Sequence, residues 1–203
     1  MKQLFVITWP EFFPGETELL ERLFEAGLAR LHLRKPGSSR EELRTFLAAL
    51  PVAYYPRIVL HDHFELLGEA FLAGRLGGLH LNRRHPRRPE AYAGPISCSC
   101  HSLAEVAEKQ GFDYVFLSPI FPSISKQGYG EGFPPEVLQQ ATRQGQIHQR
   151  VIALGGISLQ TLPRLANTGF GGVAVLGALW GADPSAEASD AIIQRYKILQ
   201  QCL

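Results

Sequence analysis

Eight short apolar, β-rich runs recur along the chain with helix-patterned stretches between them, and few folds accept that alternation. Strands that follow one another through helical crossovers pair in parallel. The runs cover residues 4–8, 30–33, 57–60, 78–81, 95–99, 114–118, 151–154 and 172–176. Several are apolar at successive positions, as in Val151-Ile152-Ala153-Leu154 and Val173-Ala174-Val175-Leu176. Strands covered on both faces read this way, whereas a half-exposed sheet alternates. Eight such units in 203 residues predict a small, closed, parallel (β/α)8 barrel, a TIM barrel, as one domain over 1–203. The competing open, doubly wound sheet calls for a glycine-rich first turn, and Thr8-Trp9-Pro10-Glu11 has none.

Start signals mark two of the helices. Ser39 with Glu42, and Ser102 with Glu105, each set a hydroxyl three residues before a carboxylate that can reach back to an open amide. Residues 83–93 are polar and broken by proline, which predicts a loop in place of the fourth helix. Residues 121–135, rich in Ser, Gly and Pro, form a second long loop directly after a strand, where function concentrates.

A net charge of +1, from 20 basic against 19 acidic side chains, gives no reason to expect a nucleic-acid or membrane-surface partner. No apolar run reaches the roughly 20 residues that span a bilayer. Three cysteines do not make a disulfide framework, so Cys98 and Cys100 read as small barrel-wall residues and the chain as cytoplasmic. Whether copies associate into a homo-oligomer stays open.

In a parallel barrel the chemistry sits at the C-terminal strand ends. There the chain offers Arg34-Lys35, His61-Asp62-His63, His80, Ser99 with His101, Ser118, Gly155-Gly156 and Gly177. Gly155-Gly156, read as opening a helix at Ile157, and Gly177-Ala178 can turn backbone amides toward a phosphate with no Cβ in the way. Ser123, Ser125 and Lys126 in the sixth loop add two hydroxyls and an ammonium for anionic oxygens. Arg34 can grip a phosphate in bidentate fashion. Asp62, the one carboxylate placed at a strand end, suits a divalent metal or general-base role, or a helix N-cap. Plain turns and a solvated loop are the simpler readings of the glycines and of Lys126. His61, His63, His80 and His101 lack local zinc-ligand spacing, although one barrel mouth could gather them.

These blocks resemble the thiamine phosphate synthase family. Ser118-Pro119-Ile120-Phe121-Pro122-Ser123-Ile124-Ser125-Lys126 is similar to that family's Gly-Pro-Ile-Phe-Pro-Thr-x-Thr-Lys loop. Leu33-Arg34, His61-Asp62, His80-Leu81, Ser97-Cys98-Ser99-Cys100-His101-Ser102, Ala153-Leu154-Gly155-Gly156-Ile157 and Gly172-Val173-Ala174-Val175 follow its other blocks in order. The resemblance implies a (β/α)8 enzyme, a transferase that joins a pyrimidine diphosphate to a thiazole phosphate with Mg²⁺. It implies that Arg34, Ser123, Ser125 and Lys126 bind the diphosphate, Ser99 lies near the pyrimidine, Asp62 holds Mg²⁺, and Gly156 and Gly177 hold the thiazole phosphate.

The family's Gln-x-Arg-Glu-Lys reads His32-Leu33-Arg34-Lys35-Pro36 here, and the Asn before the metal Asp is His61. The family's Gly-Gln-x-Asp reads Asn82-Arg83-Arg84-His85, so His85 stands where the second metal carboxylate is expected. That exchange weakens a site for a hard cation. Two further activities stay open: a thiazole tautomerase, an isomerase using His101 or another strand-end histidine as acid/base, and an inactive barrel that binds thiamine phosphate. The tautomerase histidine of the sixth-strand block falls at Pro119.

Overall fold

Barrel strands read as continuous apolar runs because one face meets the barrel interior and the other meets the surrounding helices. A computed structural model describes residues 2–72, 74–122 and 132–203. Its strands are β1 (Gln3–Ile7), β2 (Arg30–Leu33), β3 (Ile58–Leu60), β4 (Gly78–Leu81), β5 (Ile96–Cys100), β6 (Tyr114–Leu117), β7 (Val151–Leu154) and β8 (Gly172–Val175). All pair in parallel, in sequence order, and β8 closes on β1 from Gln3 opposite Gly172 to Val6 opposite Val175. Each boundary falls within one residue of the run read from the sequence.

The helices are α1 (Glu16–Glu25), α2 (Arg40–Ala49), α3 (Leu103–Glu108), α4 (Pro135–Arg143), α5 (Gly177–Trp180) and α6 (Ser189–Gln201). Ser39 and Glu42 form the expected reciprocal cap of α2. At α3 the Ser102 hydroxyl accepts from Glu105 N, but the Glu105 carboxylate reaches one residue further back, to His101 N at 2.8 Å. The loop expected over 83–93 is there, and two more crossovers are reduced. After β3 and β7 the described residues hold only the 3₁₀ turns Phe64–Gly68 and Leu162–Leu165. Gly68, Gly74 and Gly77 in the first span and Pro163 in the second are poor helix formers.

Most of the core lies between barrel and helices, with Leu19, Leu20, Leu23 and Phe24 of α1 and Ile192, Ile193, Tyr196 and Leu199 of α6 buried. Cys98 and Cys100 belong to this layer. A separate apolar cluster fills part of the interior: Phe5, Ile7, Phe116, Ile152 and Ala174. No helix among the described residues is long and apolar enough to cross a membrane.

Candidate active site

The barrel interior is apolar on the β1, β6, β7 and β8 side and polar on the β2 to β5 side. Leu31-His32-Leu33 and Leu79-His80-Leu81 show how the sequence builds this. The leucines join the outer layer, and the period of two turns each histidine inward. His61 joins them just past β3, and all three imidazoles are buried. His32 Nδ1 and His61 Nε2 are 2.8 Å apart, and the Tyr114 hydroxyl lies 2.8 Å from His32 Nε2. A neutral imidazole donates through one nitrogen and accepts at the other, so this chain runs in a single direction. The Ser97 hydroxyl donates to Leu79 O (3.4 Å), so His80 Nδ1–H donates to Ser97 Oγ (2.9 Å). His80 Nε2 then accepts from the Ser99 hydroxyl (3.1 Å).

Burial, and then the neighbouring charges, hold the three rings neutral: His32 and His61 lie well below the ordinary histidine value and His80 falls to about 3. Their nitrogens fall within 4.8 Å of one another, close enough to suggest a metal cage. The His61 and His80 rings, however, stack 4.2 Å apart at 15°. Lone pairs in near-parallel planes do not converge on one ion, so this is a hydrogen-bonded floor. His32 is the member that reading strand ends overlooks. His63 and His101, expected near the mouth, stay out of the cluster. His63 lies 2.8 Å from Ser38 O and 3.0 Å from Glu65, and exposed His101 donates from Nδ1 to Ser118 O at 2.9 Å.

Asp62 follows β3 with its side chain buried, and it caps no helix: the 3₁₀ turn behind it has His63 at its cap, without a side-chain bond. Arg84 sits on it, with Nε at 2.8 Å and one Nη at 2.6 Å, both on Oδ1. His85 Nε2 is 3.8 Å from the same oxygen. Asp62 Oδ2 is buried with no hydrogen-bond partner among the described residues. Asn82 fixes this arrangement: its Oδ1 accepts from Arg84 N (2.9 Å) and His85 N (3.1 Å), and its Nδ2 donates to His61 O (2.6 Å).

At the end of β2 the two cations part. Lys35 is buried and donates to both carboxylate oxygens of Glu16 at 2.6 Å and to Glu11 O at 2.8 Å, with the Phe12 ring centre 4.7 Å away. Burial drives Glu16 up to about 7 and Lys35 below its ordinary value. Lys35 therefore ties the β1–α1 loop to β2. Arg34 is only partly buried; its backbone N–H donates to Thr8 Oγ1 at 2.9 Å, and its charge adds to the depression of His61 and His80.

The glycine turns differ from each other. Gly155 and Gly156 have φ of 92° and 64°. A Cβ on Gly156 would lie 2.6 Å from Phe121 Cβ and 2.7 Å from the carbonyl oxygens of Phe121 and Pro122, and one on Gly155 would lie 2.8 Å from Pro119 Cα. These glycines thus admit the start of the sixth loop, which donates from Phe121 N to Gly155 O. No helix opens at Ile157, contrary to the sequence reading. Thr161 Oγ1 accepts from Ser158 N (2.8 Å) and donates to Gly156 O (2.9 Å), closing a turn instead. Gly177, which opens α5 on the neighbouring strand, has nothing within 4 Å of a built Cβ. Phe133 N donates to Ile120 O, so both stems of the sixth loop stand beside β7. Ser123, Ser125 and Lys126 lie outside the described residues. Ser99, hydrogen-bonded to His80, reaches the same interior from β5.

A closed parallel barrel with a cation after β2, a buried carboxylate after β3 and glycine turns after β7 and β8 defines a (β/α)8 protein of the kind that takes phosphorylated ligands at its C-terminal face. The profile of the thiamine monophosphate synthase family matches residues 4–179, and the chain belongs to that family. A thiamine-phosphate synthase of Levilactobacillus brevis is 32% identical over 184 residues, 82% of this chain and 82% of that one. One of Shouchella clausii is 28% identical over 203 residues, 94% of each. The crystal structure of a thiamine phosphate pyrophosphorylase from Bacteroides thetaiotaomicron superposes with a TM-score of 0.85 at 40% identity, covering 100% of this chain and 97% of that one.

Proposed function

We propose that the protein is a transferase of thiamine biosynthesis that joins a pyrimidine diphosphate to a thiazole phosphate and releases pyrophosphate. Family membership over nearly the whole barrel carries the reading. The site residues supply its chemistry. Loss of pyrophosphate leaves a pyrimidine cation for the thiazole nitrogen to trap, and the barrier falls as charge on the leaving diphosphate is met by fixed cations and donors. Arg34, with Ser123, Ser125 and Lys126, holds that diphosphate. Ser99, oriented by His80, faces the pyrimidine. Gly177 and the Gly155-Gly156 turn hold the thiazole phosphate, with Gly177 open to an approaching anion.

Mg²⁺, expected from the family resemblance at Asp62, does not suit the donors present. Asp62 Oδ2 is an orphaned oxygen fit for a cation, but Oδ1 carries Arg84, and the second position is His85. Among the described residues no group of three potential ligands includes Asp62. Hard cations ask for several oxygens and tolerate neither imidazole nor an adjoining guanidinium well.

The isomerase reading needs an acid/base; His101 donates from Nδ1 to Ser118 O, which leaves Nε2 as the nitrogen that would have to serve. A cytoplasmic setting belongs to the proposal, resting on the odd cysteine count. The test is pyrophosphate release from both substrates by the purified protein, run with and without Mg²⁺. One equivalent of pyrophosphate per thiamine phosphate is expected. No release in either buffer from a folded sample overturns the proposal.

A further inference from the structure

We propose that Arg84 is the resident counter-cation of the diphosphate site, so that the protein grips pyrophosphate and diphosphate esters without a divalent metal. The inference rests on the transferase reading for its ligand and on the β4–β5 loop for its evidence. Two carboxylates and a divalent cation sum to zero charge. Asp62 with Arg84 sums to zero as well, so the exchange of a carboxylate for the Arg84-His85 pair keeps the balance only if no metal enters. A cation on Asp62 Oδ2 would face the guanidinium seated on Oδ1 across a single carboxylate, and like charges that close repel strongly.

The pair is built into the loop. Asn82 accepts from the amides of both Arg84 and His85 and is itself anchored on His61 O, while the His85 ring packs 4.8 Å from Phe64. Such a turn fixes the backbone from which Arg84 reaches back. Exposure within the pair is one-sided: the Asp62 side chain is 6% exposed and that of Arg84 is 49%. The carboxylate is a buried anchor. The guanidinium contacts it through Nε and one Nη, which leaves further N–H donors on its open side, in the planar geometry that suits phosphate oxygens. In the basic stretch 83–88, Arg84 thereby has a ligand-facing task that net charge alone does not reveal.

Titration calorimetry with inorganic pyrophosphate, in buffer containing EDTA and in buffer containing Mg²⁺, tests this on the full chain. Wild type is expected to bind in both with affinities within about threefold. Arg84→Ala is expected to lose at least tenfold in EDTA. Arg84→Asp, which restores a second carboxylate, is expected to bind only with Mg²⁺. Thermal unfolding of each variant confirms the fold, and Arg84→Gln stands in should Arg84→Ala not fold. Wild-type binding that requires Mg²⁺, or Arg84→Ala binding as wild type does, overturns the proposal. Metal-free binding lost in Arg84→Ala, with no thiamine phosphate formed from both substrates, would instead remove the transferase reading and leave the Arg84 assignment standing.

Discussion

Replacing Lys35 with methionine strands a carboxylate inside the protein, and the cost should depend on pH in a way that identifies the carboxylate. Lys35 and Glu16 have side chains 0% and 1% exposed and meet at 2.6 Å. Removing one partner of such a pair costs about 3–5 kcal/mol, because the survivor has neither water nor a counter-ion. In a protein of this size about 1 kcal/mol moves the melting temperature by roughly 2–4 °C, so the loss is roughly 6–20 °C.

Glu16 in the folded protein already titrates near 7, above its ordinary value of 4.5. A carboxyl raised on folding contributes stability that is complete below the unfolded value and lost as pH climbs through the folded one. Without Lys35 that folded value rises further, since the lysine lowers it. Lys35→Met should therefore lose about 1.4 kcal/mol per pH unit across that window. Its deficit against wild type should be small at pH 5, where the carboxyl is protonated in both folded proteins, reach about 1.4 kcal/mol at pH 8, one unit above the wild-type value, and approach roughly 3–5 kcal/mol only at higher pH. Urea unfolding followed by circular dichroism at both pH values measures the gap, and Glu16→Gln with the double variant completes a cycle. A deficit under 1 kcal/mol at pH 8, or one independent of pH, would refute the reasoning.

The two glycine turns should separate stability from binding. Gly156→Ala places a side chain at φ 64° against Phe121 and Pro122 and should cost roughly 2–5 kcal/mol in urea unfolding, whereas Gly177→Ala should unfold within about 1 kcal/mol of wild type yet raise KM for the thiazole phosphate. His32, His61 and His80 are depressed on folding, so the stability they confer above pH 6.5 should drain away as pH falls toward about 3. A His32→Gln/His61→Asn variant should flatten the urea midpoint against pH over that interval, and an unchanged slope would count against the buried-imidazole floor. Trp180→Phe deletes the donor to Ile7 O (2.7 Å) and should cost about 1–3 kcal/mol of stability by leaving a buried carbonyl unpaired.

The barrel was legible because its strands are covered on both faces: Val151–Leu154 and Gly172–Val175 announce themselves as apolar runs with no solvent face. The places of Arg34, Asp62 and Gly177 just after β2, β3 and β8 were legible because strand ends are where a parallel barrel exposes chemistry. His32 was not, since it sits within β2 rather than past it. The signal was the Leu-His-Leu pattern it shares with His80, where apolar neighbours turned toward the helices force the imidazole inward. The partner of Asp62 was hidden for a different reason. Arg84 is the third residue of a loop, and only the Asn82 turn brings it back onto a carboxylate 22 positions earlier. Gly155-Gly156 looked like a phosphate turn, yet the close approach of Pro119 and Phe121, a tertiary contact, also explains their left-handed backbone. Lys35 shows the reverse case: an apparent rim cation that burial assigns to Glu16.

One arrangement underlies the proposed function, in which groups after β2, β4, β7 and β8 hold phosphates around one barrel mouth. A crystal structure grown with thiamine phosphate and pyrophosphate examines it directly. The pyrophosphate should lie between Arg34 and Arg84, and the thiamine phosphate ester should lie against the amides that open α5 at Gly177. Phosphate density on the opposite face of the barrel, or at the mouth but out of reach of both arginines and of Gly177, would contradict the account.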